Sequence, residues 1–349
     1  MKADKCGLFF ESYGQENQIF PSPVQKTCLG AFLLFLLIVP FILDSYYLSL
    51  FNLIFIAVIG AVSLNLITGI CGQISLGHGA FMGVGAYATG YFMNLGINFF
   101  EALLLGGLVA SLVGIVFGLP SLRLKGIYLA IATLAAQLIL EYVFLHWDSV
   151  TGGSNGLALD APAIFNFYFD NDLKMFYLLF FFALISTLAI SNLMRSKYGR
   201  AFVSIRDFYL SAEVIGINLF QYKLYAFGIS SFFAGIAGGL AAVYAMYITP
   251  EQFGIHLSIS YLAMIIIGGM GKIIGSVFGA VFITLLPEFL SIVSQHLSAF
   301  FPDISTYLLG LKEGIFGLIL ILFLIFEPEG LAHRWHLIKA YFKLYPFAH

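Results

Sequence analysis

The stretch GICGQISLGHGAFMGVGAYATGYF, Gly69 to Phe92, lies between long apolar runs and decides how the chain is read. Its glycines weaken a helix, and Gln73, Ser75 and His78 need hydrogen-bond partners that hydrocarbon does not supply. Two explanations compete. Small residues let helix backbones approach closely in lipid, and Gly79, Gly83 and Ala86 fall at helical spacing. Packing alone has no use for Gln73, Ser75 or His78, and polar groups inside a membrane protein face a cavity or a neighbouring helix. The segment is therefore expected to be an interrupted helix beside a pathway. A helix start near Ser75 or Gly77 would present backbone N–H groups to an anion.

The composition sets the surroundings. The 349-residue chain is 60% hydrophobic and 10% charged, against about 25% charged in a soluble domain, so it is read as a membrane protein. The net charge of −2 gives no basic field for nucleic acid. Cys6, Cys28 and Cys71 form neither a disulfide framework nor a metal-ligand spacing. No metal site and no cofactor is expected.

At about 20 apolar residues per crossing, some ten spans are expected, near residues 28–43, 46–68, 78–95, 101–119, 126–146, 174–194, 223–246, 254–270, 273–297 and 305–326. Ten spans place Lys26, Arg123, the group Arg195, Lys197, Arg200, Arg206 and Lys223, then Lys272, Arg334 and Lys339 on one side. The positive-inside rule makes that side the cytoplasm, with both termini there. The opposite loop 147–173 carries Asp148, Asp160, Asp170 and Asp172 and no Lys or Arg. The expected fold is all-α and polytopic. It has a cytoplasmic segment 1–27, a transmembrane domain 28–331 and a cytoplasmic tail 332–349. The run GGMGKIIGSVFGA, Gly268 to Ala280, faintly echoes the first glycine segment, as an internal repeat with interrupted helices would.

The basic loop 195–223 carries Phe202, Ile205 and Tyr209 at i, i+3 and i+7, with Asp207 placed to cap a short helix and Gly216 to end it. Such a helix suits docking on a soluble partner; an ordinary positive-inside loop is the plainer reading. A phosphate loop ending at Gly271-Lys272 needs Gly at 266 and Ser or Thr at 273, and both are Ile. No nucleotide site is expected, and no nucleophile or metal spacing marks an intramembrane enzyme. Glu288, after Pro287, is a candidate pathway-facing carboxylate and the one group on which a secondary carrier could rely.

Gly69–Phe92 resembles the signature of the permeases of branched-chain amino-acid ABC importers. Further segments match in order: GLPSLRLKGIYLAIATLA (118–135), TGGSNGL (151–157), IRDFYLSAEVIGINLFQYKLYAFGISSFFAGIAGGL (205–240), YLAMIIIGGMGKIIGSVFGA (261–280) and FEPEGL (326–331). The RLKGIYLAIATL and TGGSNG blocks are similar to those of the M-type, or LivM, partner of the paired permeases. The resemblance covers most of residues 60–331, and the related urea permeases share much of it.

The resemblance implies import of leucine, isoleucine, valine or related amino acids across a bacterial inner membrane. It also implies a second homologous permease, two cytoplasmic ATPase subunits and a periplasmic binding protein. A urea or short-amide permease is the alternative, and a secondary transporter a more distant one. Arg200, Arg206, Asp207, Ser211, Ala212, Glu213 and Gly216 are then the expected coupling residues, although the order here is Ser-Ala-Glu where the family carries Glu-Ala-Ala. Gln73, Ser75, Gly77, His78, Gly79, Gly83 and Glu288 are the candidates for the pathway or for helix packing.

Overall fold

A computed structural model describes residues 23–124, 126–164, 167–300 and 314–344, except 316, 324 and 328. Most of the expected N-terminal segment, the first part of the expected span 305–326 and the last five residues lie outside the described residues. The helices are α1 (Pro23–Ile38), α2 (Ser45–Leu64, continued by a π-turn Asn65–Ile70), α3 (His78–Asn94), α4 (Phe99–Gly118), α5 (Ile127–His146), α6 (Asp172–Arg195), α7 (Lys197–Val214), α8 (Leu219–Ala245), α9 (Ile255–Gly268), α10 (Ile273–Phe300) and α11 (Leu331–Leu344). Among the described residues, seven helical stretches are long and apolar enough to cross a membrane. The protein is an all-α polytopic membrane protein.

Helix α4 shows why this sequence belongs in lipid. Beyond Phe99 and Leu103 in its first turns, its buried stripe is small: Ala102, Gly106, Gly107, Ala110, Gly114 and Gly118. Its exposed stripe is large and apolar: Leu104, Leu105, Leu108, Leu112 and Val116. A soluble helix reverses this order. In lipid, exposed leucine costs nothing, and close backbone contact supplies the attraction between helices.

Helix α8 is the axis of the bundle, and α2, α3 and α4 pack around it. Gly85 of α3 lies against the backbone of Gly235 on α8, Gly238 against the Met82 carbonyl, and Gly114 of α4 against the Ser231 side chain. On the far side of α2, α9 and α10 form a tight hairpin. A Cβ on Gly275 would stand 2.6 Å from the Gly268 carbonyl oxygen.

The two ends of the bundle differ in charge. At the acidic end, a strap from Asp148 to Ile164 folds over the helix tips. Its strand β1 (Leu157–Ala158) pairs antiparallel with β4 (Tyr247–Ile248), just past α8. The strap's other strands, β2 (Ala163–Ile164) and β3 (Phe167–Tyr168), pair with each other. Thr151 Oγ1 donates to the Phe144 carbonyl at 2.8 Å, Leu159 N to the Met246 carbonyl at 2.9 Å, and the Tyr247 hydroxyl to the Asn155 carbonyl. At the basic end, Glu327 pairs with Arg334, which holds its carboxyl below the usual carboxylate range.

Candidate functional site

The chain does not pass directly from α2 to α3. After the π-turn it runs without regular helix from Cys71 to Gly77, bending at Cys71 and at Leu76, and burial alternates along it from 71 to 75. Cys71, Gln73, Ser75 and Gly77 are buried, while Gly72 and Ile74 look outward, Ile74 at 37% exposure. His78 to Tyr87, the first ten residues of α3, are all buried. Helix α3 therefore begins well inside the bundle.

A helix start has donors without partners in its own helix, and here other helices supply the acceptors. Leu76 N donates to Thr133 Oγ1 of α5 at 2.9 Å. Gly79 N donates to Ser258 Oγ of α9 at 2.7 Å, and Ala80 N to Gln137 Oε1 of α5 at 2.8 Å. Ser258 Oγ donates to the same Gln137 oxygen at 3.0 Å. The Gln137 amide in turn donates to the Phe253 carbonyl at 2.7 Å. Donors at the helix start that the sequence offered to an anion are thus occupied by this chain's own side chains. Thr133 lies within the quoted block 118–135 but is not singled out by it, and Gln137 and Ser258 fall in no quoted block. Their only signal was a polar side chain in the middle of an apolar helix.

The expected residues divide into groups. His78 is buried with Nε2 3.3 Å from Ser63 Oγ and its ring edge-on to Tyr261. Gly79 sits against Gly254 and Ser258, Gly83 against Phe144 and Phe253, and Gly77 against the Thr133 carbonyl. Gln73 and Ser75 are buried on the inner face of the non-helical segment. Gln73 Oε1 and Ser75 Oγ have no hydrogen-bond partner there. Glu288 is elsewhere: it accepts from the Tyr46 hydroxyl at the first turn of α2, near the acidic end.

Helix α7 lies at the basic end and is longer than the helix read near 207–216. Ser196 caps it, accepting from Tyr198 N at 3.1 Å, and it breaks at Phe208, where φ is −157° and ψ 90°. The spacing of Phe202 and Ile205 marks an inward face: both are buried, as is Ala212. The apolar residues that remain exposed are Phe208, Leu210, Val214 and Ile215. Ser211, Glu213 and Arg200 are exposed as well. Gly216 adopts φ +88°, the left-handed turn expected of it. Asp207, just before the break, accepts from Arg206 Nε at 2.8 Å.

Arg206, its side chain 37% exposed, reaches from α7 to a place where both glycine segments meet. Its Nη1 donates to the Gly69 carbonyl at 3.1 Å. Asn65, on the π-turn, donates through Nδ2 to the Lys272 carbonyl at 3.1 Å and accepts from Gly271 N at 2.8 Å. A Cβ on Gly69 would fall on the Asn65 side chain, and one on Gly72 (φ +71°) would stand 2.9 Å from Arg206 Cγ. The ends of the two glycine segments, at Gly69 and at Gly271–Lys272, thus meet in the structure.

Non-helical backbone at membrane depth persists where it is covered by protein or lines a watery route. Transport proteins build their routes from such discontinuous helices, so the class this architecture defines is the membrane permease. A family model described as "Branched-chain amino acid transport system / permease component" matches residues 46–324. The chain belongs to this family of branched-chain amino-acid ABC transporter permeases, with LivM-type relatives. It is 30% identical over 332 residues, 88% of this chain and 75% of the relative, to the high-affinity branched-chain amino acid transport system permease protein LivM of Escherichia coli K12. It is 24% identical over 240 residues, 66% of this chain and 67% of the relative, to a probable LivM of Methanocaldococcus jannaschii. The autoinducer 2 import system permease LsrC of Escherichia coli O9:H4 is 27% identical over 86% of this chain and 85% of its own length. No solved structure matches.

Proposed function

We propose that this permease subunit imports leucine, isoleucine, valine or related amino acids across a bacterial inner membrane, driven by ATP hydrolysis on separate subunits. The observation that carries the reading is the family match over residues 46–324. Names of the LivM relatives supply the cargo class. A zwitterion pays heavily to enter hydrocarbon and needs a protein-lined path. The non-helical segment 71–77 is one wall of that path, with Gln73 and Ser75 as its polar groups. A second homologous permease closes the path over Gly72 and Ile74.

The basic end faces the cytoplasm, as the positive-inside rule requires. There the exposed end of α7, Phe208 to Gly216, docks on one of two ATPase subunits, with Glu213 and Arg200 at the rim. A periplasmic binding protein delivers substrate to the strap at the acidic end. The chain itself holds no nucleotide site, in keeping with Ile266 and Ile273 where a phosphate loop needs Gly and Ser or Thr.

The test is uptake into proteoliposomes containing the full transporter, with radiolabelled leucine, isoleucine, valine, urea and autoinducer 2 offered separately. ATP-dependent uptake of the amino acids alone supports the reading. ATP-dependent uptake of urea would establish the short-amide alternative. Uptake driven by an ion gradient without ATP would overturn both.

A further inference from the structure

We propose that Arg206 and Asn65 form one latch that carries the displacement of α7 into both helix interruptions at once, so that Arg206 acts inside this chain and not at the rim of the ATPase contact. The proposal rests on the permease reading above.

Three backbone segments converge on these two side chains: the end of α2 at Gly69, the start of the non-helical segment at Gly72, and the turn Gly269–Lys272 between α9 and α10. Arg206 touches all three. Nη1 holds the Gly69 carbonyl at 3.1 Å. The backbone of Arg206 crosses Gly72 so closely that a Cβ there would stand 3.2 Å from its Cα. A Cβ on Gly271 would stand 2.7 Å from Nη1. Asp207 takes Nε at 2.8 Å, which fixes the plane of the guanidinium.

Asn65 completes the link. It is fully buried and bonds both the N–H of Gly271 and the carbonyl of Lys272. A displacement of α7 therefore cannot move Gly69 without also moving the α9–α10 turn.

The chemistry suits the task. Carbonyls in the last turn of a helix lack intrahelical partners and carry the negative end of the helix dipole. A guanidinium supplies several fixed donors in one plane, where an ammonium supplies a point charge. A π-turn places Asn65 off the regular helical register, and such turns are frequent at functional sites. Glycine at 69, 72 and 271 leaves room for the two side chains. Nothing in helix packing alone asks for a charged residue here.

The experiment uses the complete transporter in proteoliposomes: this chain, its partner permease, the ATPase subunits and the binding protein. Arg206→Gln, Arg206→Lys, Asn65→Ala and the Arg206→Gln/Asn65→Ala double variant are compared with the parent. The readouts are co-purification of the ATPase subunits and the ratio of ATP hydrolysis with and without loaded binding protein.

Arg206→Gln and Asn65→Ala are expected to keep their ATPase subunits and to lower the ratio by about fivefold or more, the lower end of typical coupling between sites. Arg206→Lys should fall between Arg206→Gln and the parent. The double variant should be no worse than the poorer single, because two parts of one linkage do not add. If Asn65→Ala does not assemble, the order Gln, Lys, Arg at position 206 decides. Loss of the ATPase subunits in Arg206→Gln would make Arg206 a docking residue and overturn the latch. So would an unchanged ratio, or additive losses in the double variant. A parent complex with neither stimulation nor uptake would refute the permease reading instead.

Discussion

Adding one methyl group at Gly85 and one at Gly30 should change stability in opposite directions. A Cβ on Gly85 would stand 2.6 Å from the carbonyl carbon of Gly235, and its three nearest atoms are all Gly235 backbone. Carbon atoms rest about 3.5–4.0 Å apart, so the two helices must separate by roughly 1 Å. No side chain can swing aside. Helix α8 cannot retreat either, since the Ala110 methyl of α4 already presses on Gly235 from the other side.

A gap of that size forfeits about a quarter to a half of the local dispersion energy, and overpacking a filled interior costs about 1–3 kcal/mol. We expect Gly85→Ala to destabilise by about 3 kcal/mol, roughly a hundredfold in the folding equilibrium. Gly30, on α1, has nothing within 4 Å of the added atom. There the better helix propensity of alanine, about 1 kcal/mol, should leave stability equal or slightly raised. The assay is thermal unfolding of the detergent-purified protein followed by fluorescence-detected size exclusion. A midpoint for Gly85→Ala equal to or above that of the parent would refute the close-packing argument, whatever Gly30→Ala does.

Gln137→Leu removes the acceptor for Ala80 N and Ser258 Oγ and the donor to the Phe253 carbonyl. With each orphaned group costing about 1–3 kcal/mol, the unfolding midpoint should drop further than for Gln221→Leu on the exposed start of α8. Gly216→Val puts a β-branched residue at φ +88°, where such residues are outliers, in space that is otherwise open. It and Glu213→Arg should insert normally yet lose binding-protein-stimulated ATP hydrolysis, and full stimulation in both would mean that the coupling contact lies elsewhere. Single cysteines at Asp44 and Asp160 should react with an impermeant maleimide from the periplasm, and cysteines at Ser196 and Lys339 only after the membrane is opened. Labelling of Ser196 in intact cells would reverse the orientation.

Much of the fold could be read directly because lipid imposes one dominant rule. An apolar run of crossing length has few alternatives, and the eight helices α2 to α6 and α8 to α10 begin and end within a few residues of the expected spans. Gly79 and Gly83 do lie at close contacts, but Gly279 on the Met264 carbonyl, Gly268 on Gly275, Gly238 on Met82 and Gly85 on Gly235 are tighter. Spacing within one helix shows which glycines share a face, and only the partner helix shows which of them meets a backbone.

Phe202, Ile205 and Tyr209 illustrate a second limit. Their period marks an apolar stripe, and a period cannot say whether the stripe faces its own chain or another. The network of Thr133, Gln137 and Ser258 was hidden because Thr133 and Gln137, one turn apart on α5, and Ser258 on α9 are brought together with the start of α3 only by tertiary packing. Asn65 was missed for the same reason, its partners lying more than 200 positions away.

That separation has a consequence for how the protein is made. The Asn65–Gly271 bond joins residues 206 apart, the Arg206–Gly69 bond 137 apart, and the Tyr247–Asn155 closure of the strap 92 apart. At about 5–20 residues per second, a ribosome needs roughly 10–40 seconds between delivering Asn65 and delivering its partners. For that interval the polar turn of α2 is without the Gly271 and Lys272 backbone groups that Asn65 bonds in the finished fold. The nascent bundle must therefore be sheltered until α9 and α10 arrive, and a ribosome stalled before residue 271 would leave behind a chain with every earlier helix in place and its innermost joint open.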